Sequence, residues 1–123
     1  MNVGKLLSEL AAEKAAETAI IFNENQYSYE NLNIIANSLA EYLAENGIKQ
    51  GDNIAVILPN CPEFAFIYFA VSKLGAVFCP IDTRLGETEI NQILLTSKAK
   101  VCFIFPDLPV KEKLSQSVRI IDI

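Results

Sequence analysis

Two patterns of apolar positions alternate along the chain, and the switches between them set out the predicted elements. Leu32, Ile35, Ala36, Leu39, Ala40 and Leu43 keep the i, i+3, i+4, i+7 rhythm of an amphipathic helix. Ser28, a good N-cap, precedes that helix, and Asn46-Gly47 gives a C-terminal stop. Leu6, Leu7, Leu10 and Ala11 repeat at the same spacing, with Glu9, Glu13, Lys14 and Glu17 elsewhere, which predicts a surface helix over residues 4 to 17. Between these helices, Thr18 to Phe22 and Gln26 to Ser28 flank the turn-forming Asn23-Glu24-Asn25 and predict a small hairpin.

After residue 50 the apolar positions become continuous. Ile54 to Leu58, entered through a Gly51-Asp52 turn, is a strand of the kind buried on both faces of a parallel sheet. Phe64 to Val71 is too aromatic and too long for one solvent face and predicts a helix buried nearly all round. Asn60 is its expected N-cap, Pro62 lies in its first turn and Glu63 can act as the capping-box acid. Gly75 can close that helix in the left-handed conformation; Ala76 to Cys79 then predicts a short buried strand ended by Pro80. A helix from Glu87 to Ser97, with Ile90, Ile93 and Leu94 on one face, leads to a strand at Val101 to Phe105. A polar segment carrying Leu108, Val110 and Leu114 precedes a last strand, Val118 to Ile123.

Strand, helix and strand joined by short links permit right-handed parallel crossovers and little else. The expectation is an α/β fold: one domain over residues 1–123, with a parallel β-sheet flanked by helices in βαβ repeats and a small N-terminal hairpin. Its last strand should leave an unpaired edge or an uncovered apolar face, which predicts a partner: a second copy of the chain or the rest of a larger fold.

Composition narrows the function. Apolar residues make up 51% of the chain and the net charge is −5, with ten scattered Lys and Arg, so the footprint of a nucleic-acid binder is absent. With no histidine, Ser-His-Asp and Cys-His machinery and His-based metal sites are excluded. Cys61, Cys79 and Cys102 stand in or beside apolar segments at wide spacing, as reduced, packed thiols do. The N-terminus does not resemble a signal peptide and no segment is apolar enough for a membrane span, so a cytoplasmic location is expected.

Several segments carry a family likeness. Lys73, Gly75, Ala76, Pro80 and Asp82 match a core motif of lysine, any residue, glycine, alanine, then proline and an Asp or Asn. Ser28-Tyr29-Glu30-Asn31-Leu32, followed by Ala36-Asn37 and Leu39-Ala40, matches a second motif, although Asn31 replaces its usual glutamate and weakens the expected capping box. Gly51-Asp52-Asn53-Ile54-Ala55 and Asn60-Cys61-Pro62-Glu63-Phe64 match two more. Together, over residues 27 to 105, they resemble the N-terminal part of the acyl-adenylate-forming (AMP-dependent synthetase/ligase) superfamily, and acyl-CoA synthetases above all.

The resemblance implies an N-terminal fragment of an ATP-dependent ligase. The full enzyme would convert a carboxylate and ATP to an acyl-adenylate, then to a thioester with coenzyme A, using Mg²⁺. Such chemistry needs amides and hydroxyls around the phosphates and a cation for the developing charge. The family supplies these from a Gly-rich phosphate loop and from a lysine in a C-terminal domain. Neither occurs here, and Gly4, Gly47, Gly51, Gly75 and Gly86 form no nucleotide fingerprint. No catalytic, cofactor-binding or metal residue is therefore assigned, and the segment alone is expected to be inactive. A non-catalytic assembly or binding module on the same scaffold, or the N-terminal part of a peptide-synthetase adenylation domain, remains open. The matched residues carry structural roles, with Lys73 expected to face solvent and favour the negative end of its helix. Asp82 and Arg84, just past a strand end, form the most tempting pair, though Asp82 capping the next turn is the simpler reading. Phe64, Tyr68 and Phe69 read as core before they read as an acyl pocket.

Overall fold

The computed structural model describes residues 2–105, 107, 108, 111, 114 and 118–122; Met1, Val110 and Ile123 lie outside them. Helix α1 (Val3–Glu13) leads to a hairpin of β1 (Thr18–Phe22) and β2 (Asn25–Ser28), and then to α2 (Tyr29–Glu45). The second part alternates β3 (Asn53–Ile57), α3 (Pro62–Leu74), β4 (Val77–Pro80), α4 (Glu87–Ser97), β5 (Val101–Ile104) and β6 (Arg119–Asp122). The hairpin is a separate antiparallel pair, whereas β3 to β6 form one parallel sheet in the order β4-β3-β5-β6.

Successive side chains of a strand point to opposite faces, and the two central strands show this directly. Ile54, Val56, Val101 and Phe103 pack with Leu43 of α2 and with Ile67 and Val71 of α3. Ala55, Ile57, Cys102 and Ile104 pack on the other face with Ile90 and Leu94 of α4. The unbroken apolar runs thus reflect strands covered on both sides. A smaller cluster of Leu7, Leu32 and Ala36, with Tyr29, Phe66 and Phe69 against it, joins α1 and the hairpin to α2 and α3.

The helix ends follow local chemistry in most places. Ser28 Oγ accepts from the Asn31 N–H at 3.1 Å, as its cap position requires. Gly75 takes φ 70° and ψ 18° at the C-cap of α3, the left-handed stop that a glycine makes without a Cβ clash. Every residue of α3 is buried or half-buried, in keeping with an apolar run that fits no single face.

Four expectations change. Helix α1 ends at Glu13 rather than residue 17, and its N-cap is Asn2, whose side chain accepts from the Lys5 N–H. The N-cap of α3 is Cys61, without a side-chain cap bond, and Asn60 is one residue too early and exposed. The strand after Gly75 is an outer strand rather than a buried one, with Val77 45% exposed. Its apolar composition resembles that of a central strand, but its place depends on strand order, and Pro80, which cannot donate to a further ladder, is at home on an edge. Ile93 is exposed while Ile90 and Leu94 fill the interface, because α4 presents a narrow stripe to the sheet.

Candidate functional site

Parallel strands bring all their carboxyl ends to one side, and ligands of open α/β sheets bind there, where neighbouring connections diverge. From β3 the chain passes through α3 to β4 on one side of the sheet; from β5 it continues to β6 on the other. The connections part between β3 and β5, so the topology points to the carboxyl ends of Ile57 and Ile104 as the ligand side, where Pro59 and Asn60 are exposed and Phe105 is half-buried. Helices α3 and α4 also begin on this side and turn their positive dipole ends towards it.

Asp82 and Arg84 follow β4, the outer strand, and so stand to one side of that parting. The Arg84 N–H donates to Asp82 Oδ1 at 2.8 Å, and its guanidinium reaches both carboxylate oxygens, the closest contact being 2.7 Å. These bonds hold the Asp82 carboxyl down at about 2, the side-chain bond first and the backbone bond second. An acid so firmly ionised is a poor proton acceptor near neutral pH, and its geometry is that of a turn-forming Asp. Both side chains are exposed, at 41% and 88%.

The motif residues at the opposite end of the sheet form a framework. The Gly51 N–H donates to the Gly75 carbonyl at 2.9 Å and the Val77 N–H to that of Asp52 at 2.8 Å, which joins the starts of β3 and β4. Asp52 Oδ2 accepts from the Lys49 N–H at 2.7 Å and Oδ1 pairs with Lys100 Nζ at 3.1 Å. The Lys49 backbone bond is the main cause holding its carboxyl below the usual range. Ala76 continues this turn, its N–H bonded to the Val71 carbonyl. Tyr29 and Leu32 belong to the cluster under α1, and Glu63 lies in the first turn of α3.

Lys73 departs most from expectation. Instead of facing solvent, it turns back across α1 and α2, where Nζ donates to Ser8 Oγ at 2.7 Å, Asn33 Oδ1 at 2.8 Å and the Gly4 carbonyl at 3.4 Å. Partial burial lowers its pKa. Gly4 is the matching position: a Cβ there would lie 2.8 Å from both Lys73 N and Cα, so only glycine admits α3 this close. The signal was a glycine near the start of an amphipathic helix, but no periodicity names the helix that it meets.

Phe64 and Tyr68 stand edge-on to Phe78 at centroid distances of 5.1 and 5.3 Å, and Phe69 stands edge-on to Tyr68 at 5.3 Å. Phe64, Tyr68 and Phe78 thus pack α3 on β4, whereas Phe69 packs on the cluster under α1. A groove of about 510 Å³ at the amino ends of β5 and β6 is lined by Asn46, Ile48, Leu94, Lys98, Lys100 and Arg119, among others. Two of its cations serve the structure: Arg119 donates to Asn46 Oδ1 at the end of α2, and Lys100 pairs with Asp52. Among the described residues no three Cys, Asp or Glu side chains come together as a metal ion would need, and no helix is long and apolar enough to cross a membrane.

The fold and framework define an adenylate-forming scaffold: residues 7–122 match the AMP-binding enzyme family, and the chain belongs to it as an N-terminal part of the acyl-adenylate-forming superfamily. Among curated relatives, it is 38% identical over 105 residues to the crotonobetaine/carnitine–CoA ligase of Citrobacter koseri, covering 81% of this chain and 20% of that protein. The Salmonella paratyphi B ligase of the same name is 36% identical over equal shares. The chain therefore spans about a fifth of the length of the curated relatives it matches. A Mycobacterium tuberculosis fatty acyl CoA synthetase superposes with a TM-score of 0.92 at 31% identity, over 99% of this chain and 26% of that one. The N-terminal subdomain of Klebsiella oxytoca NpsA superposes at 0.87 with 22% identity, over 98% and 31%, and shares the fold alone.

Proposed function

We propose that this chain is the N-terminal subdomain, over residues 1–123, of a cytoplasmic ATP-dependent acyl-CoA ligase. The complete enzyme activates a carboxylic acid with ATP and Mg²⁺ to an acyl-adenylate and pyrophosphate, then transfers the acyl group to coenzyme A. The observation that carries this reading is 38% identity to a CoA ligase over 81% of the chain. The adenylation-domain alternative rests on a 22% likeness that speaks only for fold. The motif residues act as scaffold: Gly51, Asp52, Gly75 and Ala76 join the strand starts, Ser28 caps α2, and Lys73 ties α3 to α1 and α2. The free edge of β6 is where the remainder of the ligase, or a second copy of the isolated chain, would pair.

The segment alone has no Gly-rich phosphate loop and no C-terminal lysine in its sequence, so it should catalyse no ATP–pyrophosphate exchange with any carboxylate. The positive test is a graft in which this chain replaces its counterpart in the Citrobacter koseri ligase. Acyl-CoA formation from that ligase's own substrates supports the proposal. A chimera with native circular dichroism and no activity favours the non-catalytic module, and exchange by the isolated chain overturns this account of where the chemistry resides.

A further inference from the structure

Helix α1 rests on its neighbours through few buried groups. Of its 11 residues only Gly4 and Leu7 are buried, and Leu6 is 41% exposed. A cavity of about 310 Å³ remains at its seat, lined by Val3, Leu6 and Leu10 of α1, by Tyr29 of α2 and by Ala65 and Phe69 of α3, among others. Atoms lining a void lack contacts on one side, so this interface gives α1 less than a filled one would. Its polar tie centres on Lys73, whose ammonium reaches two oxygens on α1 and one on α2; beside it the Ser8 hydroxyl donates a longer bond, at 3.4 Å, to the same Asn33 Oδ1. All three acceptors are neutral, and among the described residues no carboxylate lies within 4.0 Å of Nζ. Bonds from a charged donor are about twice as strong as neutral ones, so the latch outweighs any other single polar contact of the helix.

Beyond α1 the chain is fastened separately. The Glu30 N–H donates to the Ala15 carbonyl at 3.1 Å and the Tyr29 N–H to that of Glu17 at 3.0 Å, which leaves Lys14, at φ −129° and ψ 39°, as the joint.

We propose that α1 is a hinged strap, latched by Lys73 and turning at Lys14, that opens as one unit from α2 and α3 and uncovers the apolar cavity. Elements with little buried apolar contact open at lower free energy than the core, so α1 opens while α2, α3 and the sheet stay closed.

Hydrogen exchange on the whole 123-residue chain, resolved by amide, tests this. In the wild type, amides from Leu7 to Glu13 should share one opening constant and exchange at least about tenfold faster than the core of α2 and α3. Lys73→Met keeps the apolar stem and removes the donors; it should speed α1 by a further factor of about ten and leave α2 and α3 within about twofold. Asn33→Ala, which removes the α2 acceptor shared by Lys73 and the Ser8 hydroxyl but leaves both α1 acceptors of Lys73, should move α1 in the same direction by less. The proposal is overturned if α1 is protected as well as α2 in the wild type. It is also overturned if protection merely rises from the N-terminus as in fraying, or if Lys73→Met leaves α1 unchanged or speeds every element alike. Should Lys73→Met fail to fold, the wild-type pattern and Asn33→Ala decide.

Discussion

Replacing Gly4 with alanine sets two physical effects of opposite sign against each other. Alanine is favoured over glycine in a helix interior by about 1 kcal/mol, and less near the first turn, so helix propensity alone predicts a gain. The new Cβ, however, would lie 2.6 Å from Lys73 Cγ and 2.8 Å from Lys73 N and Cα. The Cγ could swing away by rotation; the two backbone atoms belong to the last turn of α3 and could not. Restoring ordinary contact requires α1 to move off α3 by about 1 Å, which loosens the packing of Leu7 and stretches the Lys73 bonds to Ser8 and Gly4. Overpacking of this kind costs typically about 1–3 kcal/mol, so the clash outweighs the propensity and the net loss should be about 1–2 kcal/mol. For a domain of this size that lowers Tm by roughly 3–8 °C. Thermal unfolding followed by circular dichroism reads the sign directly. A variant with unchanged or raised Tm would show that α1 and α3 do not approach as described.

Three further predictions follow from other parts of the fold. Gly75→Val should lose about 1–3 kcal/mol in urea denaturation, because a β-branched residue is strained at positive φ. The new Cβ would also press Gln50 Cγ at 3.1 Å; an unmoved midpoint would refute this. Asp82 should titrate by carboxyl NMR at about 2, and Arg84→Gln should return it towards 3.8. Because the folded value is the depressed one, the stabilisation from this contact is present above 3.8 and lost as pH falls through about 2; an ordinary midpoint in the wild type would contradict the pairing. Cys102 is fully buried and its thiol is pushed up to about 12 by desolvation. It should resist alkylation at pH 8 in the native chain while half-buried Cys61 and Cys79 react first, and labelling of Cys102 at their rate would count against the described core.

Much of this architecture was legible in the chain because it depends on neighbours in sequence. The 3.6-residue rhythm from Leu32 to Leu43, the hydroxyl of Ser28 and the missing Cβ of Gly75 act within a turn or two, and each defines the helix or helix end expected of it. The continuous runs at β3 and β5 announced strands covered on both faces, and the motifs over residues 27 to 105 carried the family likeness. What tertiary structure decided were the meetings between distant segments. Apolar composition could not tell β4 at the edge from β3 at the centre, because both have helices to pack against and only strand order distinguishes them. Strand order likewise put the parting of the connections at the ends of β3 and β5, away from Asp82 and Arg84. Asn60 and Cys61 were separated by the backbone direction at the start of α3, where one residue's shift carries a side chain out of capping reach. Lys73 shows the same limit most clearly: a cation at a helix C-terminus satisfies the dipole wherever it points, and only the approach of α1, allowed by a glycine 69 residues earlier, turns it inward.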